Sequence, residues 1–125
     1  MLGRRANRAG VALKVLFWTA LVVALLRAIW PDPFTEPYVG HWDKVTHGAG
    51  CFALTFLAAV AYPRTAIPLL GLGVLAFGGL VEVLQAIPAV NRDASLGDLA
   101  ADGVGICVAM IPATLPALRA AVRRV

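Results

Sequence analysis

Side chains able to do chemistry stand at the ends of apolar stretches in this chain. Asp43, Lys44 and His47 open one stretch, Glu82 and Gln85 close the next, and Arg92, Ser95, Asp98 and Asp102 lead into a third. Glu82, or the pair Asp43 and His47, could serve as a general base. A divalent cation held by His47, Asp98 and Asp102 could polarise a phosphoryl or carbonyl group. Lys44 and Arg92 carry the opposite capability, charge-assisted hydrogen bonds to an anion such as a lipid phosphate. Helical spacing groups these residues. Asp43, His47 and Cys51 fall at i, i+4 and i+8, Asp98 and Asp102 at i and i+4, and Glu82 lies one turn beyond Gly78, which shares a face with Gln85.

Each candidate also has a plainer reading. Asp43 can cap a helix, and Lys44 can anchor it at an interface with its stem snorkelling outward. His47 can be a packed residue whose tautomer Asp43 fixes from one turn away. Ser95 through Asp98 fits a capping box, with Ser95 at the cap and Asp98 three residues on. Asp102, a turn further in, has no capping role and calls for a cationic partner, Arg92 or Arg27. Glu82 sits five residues inside Ile87, which is about 7.5 Å of helix. A carboxylate at mid-bilayer costs about 2.5 to 3.5 kcal/mol, so it needs water or a partner there. On this count Glu82 is the deepest acid, the expected inner floor of a polar site. Cys51 and Cys107 read as small packing residues, with no nearby cation to stabilise a thiolate, and His41 reads as exposed.

The elements that position these groups are set by hydropathy. Of the 125 residues 60% are hydrophobic and only 14% charged, against about 25% charged in ordinary soluble chains. Mean hydropathy is +0.80. Four stretches approach the roughly 20 residues that cross a bilayer's hydrocarbon core: about residues 11–30, 43–62, 66–87 and 96–118. The expectation is an all-α, single-domain, four-helix transmembrane bundle. Pro31-Asp32-Pro33 should end the first span, which is too long for a cleaved leader. Thr65 should cap the third, with Pro68 in its first turn, and Pro112 and Pro116 should kink the fourth without ending it. The formal charge of +4 arises from basic residues at span ends rather than a continuous patch, so nucleic-acid binding drops out.

Basic residues also suggest the orientation, because cytoplasmic flanks collect them. Arg4, Arg5, Arg8, Lys14, Arg64, Arg119, Arg123 and Arg124 fall on one side, against Arg27, Lys44 and Arg92 on the other. Both termini are then expected in the cytoplasm. All seven acids, including Asp32, Glu36 and Asp93, lie toward the outer side. Trp30, Tyr38 and Trp42 mark the outer boundary and Tyr62 the inner one. Ala101, Gly105, Ala109, Ala113 and Ala117 form a small-residue stripe that should face a neighbouring helix.

The ordered set Asp43-Lys44-x-x-His47, Glu82-x-x-Gln85, Arg92-x-x-Ser95-x-x-Asp98, Gly103 and Gly105 resembles the VanZ-like family of small bacterial membrane proteins, over roughly Asp43 to Ala109. Two departures stand out. The family usually has asparagine where Asp102 stands, and a shorter Pro-Gly-Arg connection where this chain has Pro88-Ala89-Val90-Asn91-Arg92. The resemblance implies a helical membrane protein with its polar motif at the outer face, and a link to low-level resistance to glycopeptides such as teicoplanin. It implies no reaction, and function must still be argued from the site.

Two functions compete. In the first, Lys44, Gln85, Arg92, Asp98 and Asp102 bind an anionic lipid or a lipid-linked cell-wall precursor. In the second, an intramembrane enzyme uses Glu82, His47 or Asp43, with or without a divalent ion, on such a substrate. A conducting pathway fits poorly, because Thr55 is nearly alone among polar residues in the inner halves of the second and third spans.

Overall fold

A computed structural model describes residues 2–30, 40–90 and 92–124, with side chains from residue 8 onward and excluding 40 and 41. Pro31-Asp32-Pro33, Glu36, Tyr38, Asn91 and the side chains of Arg4, Arg5 and His41 lie outside what it describes. Among the described residues every regular element is helical: α1 (Leu2–Ile29), α2 (Gly40–Ala61), α3 (Ile67–Gln85), a 3-10 turn (Pro88–Val90), α4 (Leu96–Ala113) and α5 (Pro116–Arg123). Four helices are long and apolar enough to cross a membrane: Arg8–Ile29, Trp42–Ala61, Ile67–Gln85 and Leu96–Ala113. Their outer surfaces stay apolar, with Val15, Trp18, Leu69, Leu72, Val83, Val104 and Ile111 all more than half exposed. Lipid is the solvent that accommodates such a surface.

Several boundaries differ from the sequence reading, each for a local reason. The fourth span does not run to Leu118. Pro112 removes one backbone donor, α4 ends at Ala113, and Leu115 turns extended (φ −58°, ψ 126°) ahead of Pro116, which starts α5. The residue before a proline avoids the helical region, so the chain breaks rather than bends. Thr65 is not the cap of α3: the extended residue is Ala66, with no side-chain cap. Asp43 is not a cap either. Helix α2 begins at Gly40, which puts Asp43 in its first turn, where a carboxylate complements the helix dipole. Ser95 does cap α4, accepting a bond from the Gly97 N–H at 3.1 Å.

Packing centres on α2, which touches every other membrane-length helix and pairs most extensively with α4. The small stripe makes that pairing possible. Gly105 lies so close to Gly48 that a Cβ there would strike its carbonyl, only 2.8 Å from the carbonyl carbon. Ala109 and Ala113 are fully buried. Ala117 falls on α5, beyond the break, and is exposed. Gly71 and Gly78 of α3 face α4 in turn, against Met110 and Asp102 respectively. The core runs along this seam through Leu54, Ala58, Val74 and Ile106, with Phe17 of α1 closing it.

Candidate functional site

The C-terminal ends of α1 and α3 and the N-terminal ends of α2 and α4 lie together at one end of the bundle, here called the site end. They enclose a cavity of about 450 Å³. Its lining divides by chemistry. Arg27, Trp42, Asp43, Thr46, Gln85 and Arg92 line it near the helix ends, while Ala24, Leu54, Phe77 and Val81 form an apolar wall deeper in. His47 and Asp102 stand between the two zones.

Asp102 is the deepest acid of the site. It is 1% exposed, it lines the cavity, and its carboxylate occupies the space that a side chain on Gly78 would fill. Its Oδ1 lies 3.2 Å from His47 Nδ1. The partner of Asp102 is thus His47 rather than Arg92 or Arg27, and the carboxylate that orients His47 is Asp102 rather than Asp43. A hydrogen-bonded carboxylate and imidazole satisfy each other where either alone would be costly.

Glu82 does not form the cavity floor. It lies outside the lining, and its Oε2 accepts the Ser95 N–H at 2.6 Å. This is the bond that Asp98 would make in a capping box. Glu82 therefore closes the box from the neighbouring helix, and Asp98 is released to turn elsewhere. Asp98, 2% exposed, points its Oδ1 at Lys44 Nζ, 3.5 Å away. Lys44 thus leans inward along the bundle with its side chain 46% exposed, and does not simply snorkel away from it.

Gln85 is 4% exposed and donates to the Ala28 carbonyl at 3.0 Å. That bond ties the end of α3 to the last turn of α1. Arg92 does similar work, its Nε donating to the Trp30 carbonyl at 3.2 Å. Between them these bonds fasten the C-terminal end of α1 to the cavity rim. Cys51 is buried and lines the cavity, and Cys107 is exposed on the far face of α4.

Of the residues singled out from sequence, the cavity gathers Asp43, His47, Gln85, Arg92 and Asp102, and leaves Lys44, Glu82 and Asp98 just outside its wall. Arg27, which the sequence offers as an outer-side basic residue and a counter-ion for Asp102, stands at the rim itself. Its signal in the sequence is its position: it is the one charged residue of α1 after Lys14, and it falls in the helix's last turn.

Buried acceptors remain unspent at this end. Among the described residues, Glu82 Oε1, Gln85 Oε1, Asp98 Oδ1 and Asp102 Oδ2 are shielded from solvent and accept no hydrogen bond. An acceptor left this way costs about 1 to 3 kcal/mol. That is an arrangement suited to a donor or cation brought from outside.

Fold and cavity together define a small all-helical protein with four helices able to cross a membrane and a polar pocket at one end of them. No family model, curated protein or solved structure matches the chain.

Proposed function

We propose that this is a VanZ-like protein of the bacterial cytoplasmic membrane whose cavity opens to the outer face and holds the phosphate-bearing headgroup of an anionic lipid or lipid-linked cell-wall precursor. Through that ligand it alters susceptibility to glycopeptide antibiotics of the teicoplanin type. The observation that carries the reading is the division of the lining, with Arg27 and Arg92 near the helix ends and Ala24, Leu54, Phe77 and Val81 deeper in. A lipid has the same division, an anionic head and an apolar chain. With Asp102 engaged by His47, Asp43 is the one other carboxylate of the lining, so Arg27 and Arg92 leave the rim net positive, and the Arg27 guanidinium is of a shape to fork onto a phosphate. The orientation rests on the eight-to-three division of basic residues. The antibiotic link rests on the resemblance of the polar motif.

The rival, an intramembrane enzyme, loses its best general base. Glu82 is bonded to the Ser95 N–H and lies outside the cavity.

Lipid analysis of the purified protein tests the proposal. A copurified anionic or polyprenyl-phosphate lipid is expected. Arg27→Gln should weaken its retention at least tenfold, since a hydrogen bond to a charged group contributes about 1.5 to 3 kcal/mol. Deletion of the gene should shift the inhibitory concentration of teicoplanin-type drugs, and complementation should restore it. A lipid-free preparation with an unchanged drug panel would remove this function.

A further inference from the structure

Beside the cavity, a second group of side chains is arranged for a cation. Asp43, His47 and Asp98 each bring one potential ligand atom, and these atoms lie within 4.8 Å of one another. Tetrahedral zinc with bonds of about 2.0 to 2.2 Å separates its donors by about 3.4 Å, so closure asks for a contraction of up to about 1.4 Å. Rotation of Asp43, which is only half-buried, is within that reach.

Two further observations point the same way. Asp98 is 2% exposed, and among the described residues its Oδ1 accepts no hydrogen bond. The ammonium of Lys44 stands 3.5 Å from that oxygen, well beyond the roughly 2.7 to 2.9 Å of a charge-assisted bond. Asp98 is thus held by Lys44 as a long ion pair, a contact that a smaller cation bound directly to the carboxylate would replace. Behind His47, Asp102 Oδ1 engages Nδ1 at 3.2 Å. A carboxylate on one ring nitrogen is the usual support of a metal-ligating histidine, fixing its tautomer and raising the basicity of the other nitrogen.

We propose that Asp43, His47 and Asp98 form a binding site for a divalent transition ion, Zn²⁺ or Mn²⁺, with Asp102 orienting His47 from behind and Lys44 as the charge that the ion displaces. One imidazole with two carboxylates favours these ions over Mg²⁺ and Ca²⁺, which prefer all-oxygen sets. Asp43 and His47 also line the cavity, so the ion adds positive charge beside Arg27 and Arg92. The site does not depend on the lipid reading, because its binding is read with the ion alone.

The experiment is titration of the purified full chain, in detergent stripped of lipid, with ZnCl2 and with MnCl2 by calorimetry and elemental analysis, and with MgCl2 for comparison. One Zn²⁺ or Mn²⁺ per chain is expected, with Mg²⁺ at least tenfold weaker. His47→Gln and Asp43→Asn should each weaken binding at least tenfold. The second of these sits at the half-exposed edge, where folding is not at stake. Lys44→Met should do the opposite and tighten binding about tenfold, because it removes the competing charge while keeping an apolar stem. A purely structural lysine would not give that gain. Absence of Zn²⁺ and Mn²⁺ binding in both wild type and Lys44→Met overturns the site. So does stoichiometric binding that neither His47→Gln nor Asp43→Asn weakens, or a Lys44→Met chain that binds less tightly than wild type.

Discussion

The two ends of the bundle use the same device to opposite effect. At each, a charged side chain from one element satisfies the exposed backbone of another. At the end opposite the cavity, Arg119 of α5 reaches the Pro63 carbonyl at 2.8 Å, with the Thr65 and Ala59 carbonyls at 3.4 and 3.5 Å. Those are the carbonyls that the end of α2 and its tight turn into α3 leave over. Nearby, Trp18 Nε1 donates to the Tyr62 hydroxyl at 2.8 Å, Phe17 meets the Tyr62 ring edge-on, and Lys14 lies 5.6 Å from its centroid. Tyr62 is thus a clasp between α1 and α2. At the site end Glu82 likewise satisfies the Ser95 N–H at the start of α4, yet among the described residues Glu82 Oε1, Gln85 Oε1 and Asp102 Oδ2 accept no hydrogen bond there, and Asp98 Oδ1 meets Lys44 only at 3.5 Å. One end spends its polar groups on closure. The other holds acceptors in reserve, and a surplus of that kind is what a ligand or cation can use.

Both ends hang on the α2–α4 seam, so breaking it should abolish the contrast altogether. Gly105→Leu drives a side chain into the Gly48 backbone, where neither helix can yield without separating. Overpacking typically costs about 1 to 3 kcal/mol, and a backbone collision exceeds that range. The expected outcome is loss of folded protein from the membrane, measured as monodisperse yield after detergent extraction. Gly73→Ala is the matched control. Nothing lies within 4 Å of its added carbon, and alanine is the better helix former, so yield should hold or rise.

A smaller effect separates the ends. Arg119→Ala deletes bonds to three carbonyls at the closed end and touches nothing at the cavity. These bonds are partly exposed and two of them are long, so the expected loss is about 1 to 2 kcal/mol, seen as a melting temperature lower by several degrees. Retention of lipid at Arg27 and Arg92 should be unchanged at temperatures where the variant is folded. A variant that loses lipid while remaining folded would show the two ends to be coupled, and the contrast between them to be false.

The sequence made one kind of information legible and concealed another. Periodicity placed Asp43, His47 and Cys51 on one face, Gly78 and Gln85 on another, and Ala101 through Ala113 on a third, because a face is fixed by local helical geometry. Cross-helix partners are not fixed that way. Asp43 is the nearest acid to His47 along the chain, but Asp102, 55 residues away, is the one that engages it. The small residues decide the matter: Gly78 leaves room for the Asp102 carboxylate, and Gly48 and Gly105 let α4 come close enough to bring it to α2. The capping box from Ser95 to Asp98 misled for the same reason. Its spacing is right, and only the approach of α3 hands the bond to Glu82. Helix α5 is not legible because Pro116 reads equally as a kink within one helix and as the first residue of another, which it is. Its basic face and the exposed position of Ala117 mark it as a separate element lying off the seam.

The smallest effect is expected at Glu82, and it sharpens the comparison most. Sequence depth alone makes Glu82 the acid whose charge should matter, but its geometry gives the side chain a different task. Oε2 accepts one backbone N–H, and Oε1 is among the buried acceptors without a donor. Glu82→Gln keeps a carbonyl oxygen in place for Ser95 and removes a buried charge, so stability should stay within about 0.5 kcal/mol of wild type or rise. Ligand retention should stay within twofold, because Glu82 does not line the cavity. Glu82→Ala also removes the charge, but it leaves the Ser95 N–H without its acceptor, and should cost about 1 to 2 kcal/mol as the loss of a cap does. The pair of variants separates the hydrogen bond from the charge. If the glutamine variant melts like wild type and the alanine variant does not, Glu82 is the site end's counterpart of Arg119, a side chain spent on backbone. If the glutamine variant instead folds normally and loses lipid or drug response, the charge itself is used, and Glu82 belongs with the acceptors held in reserve.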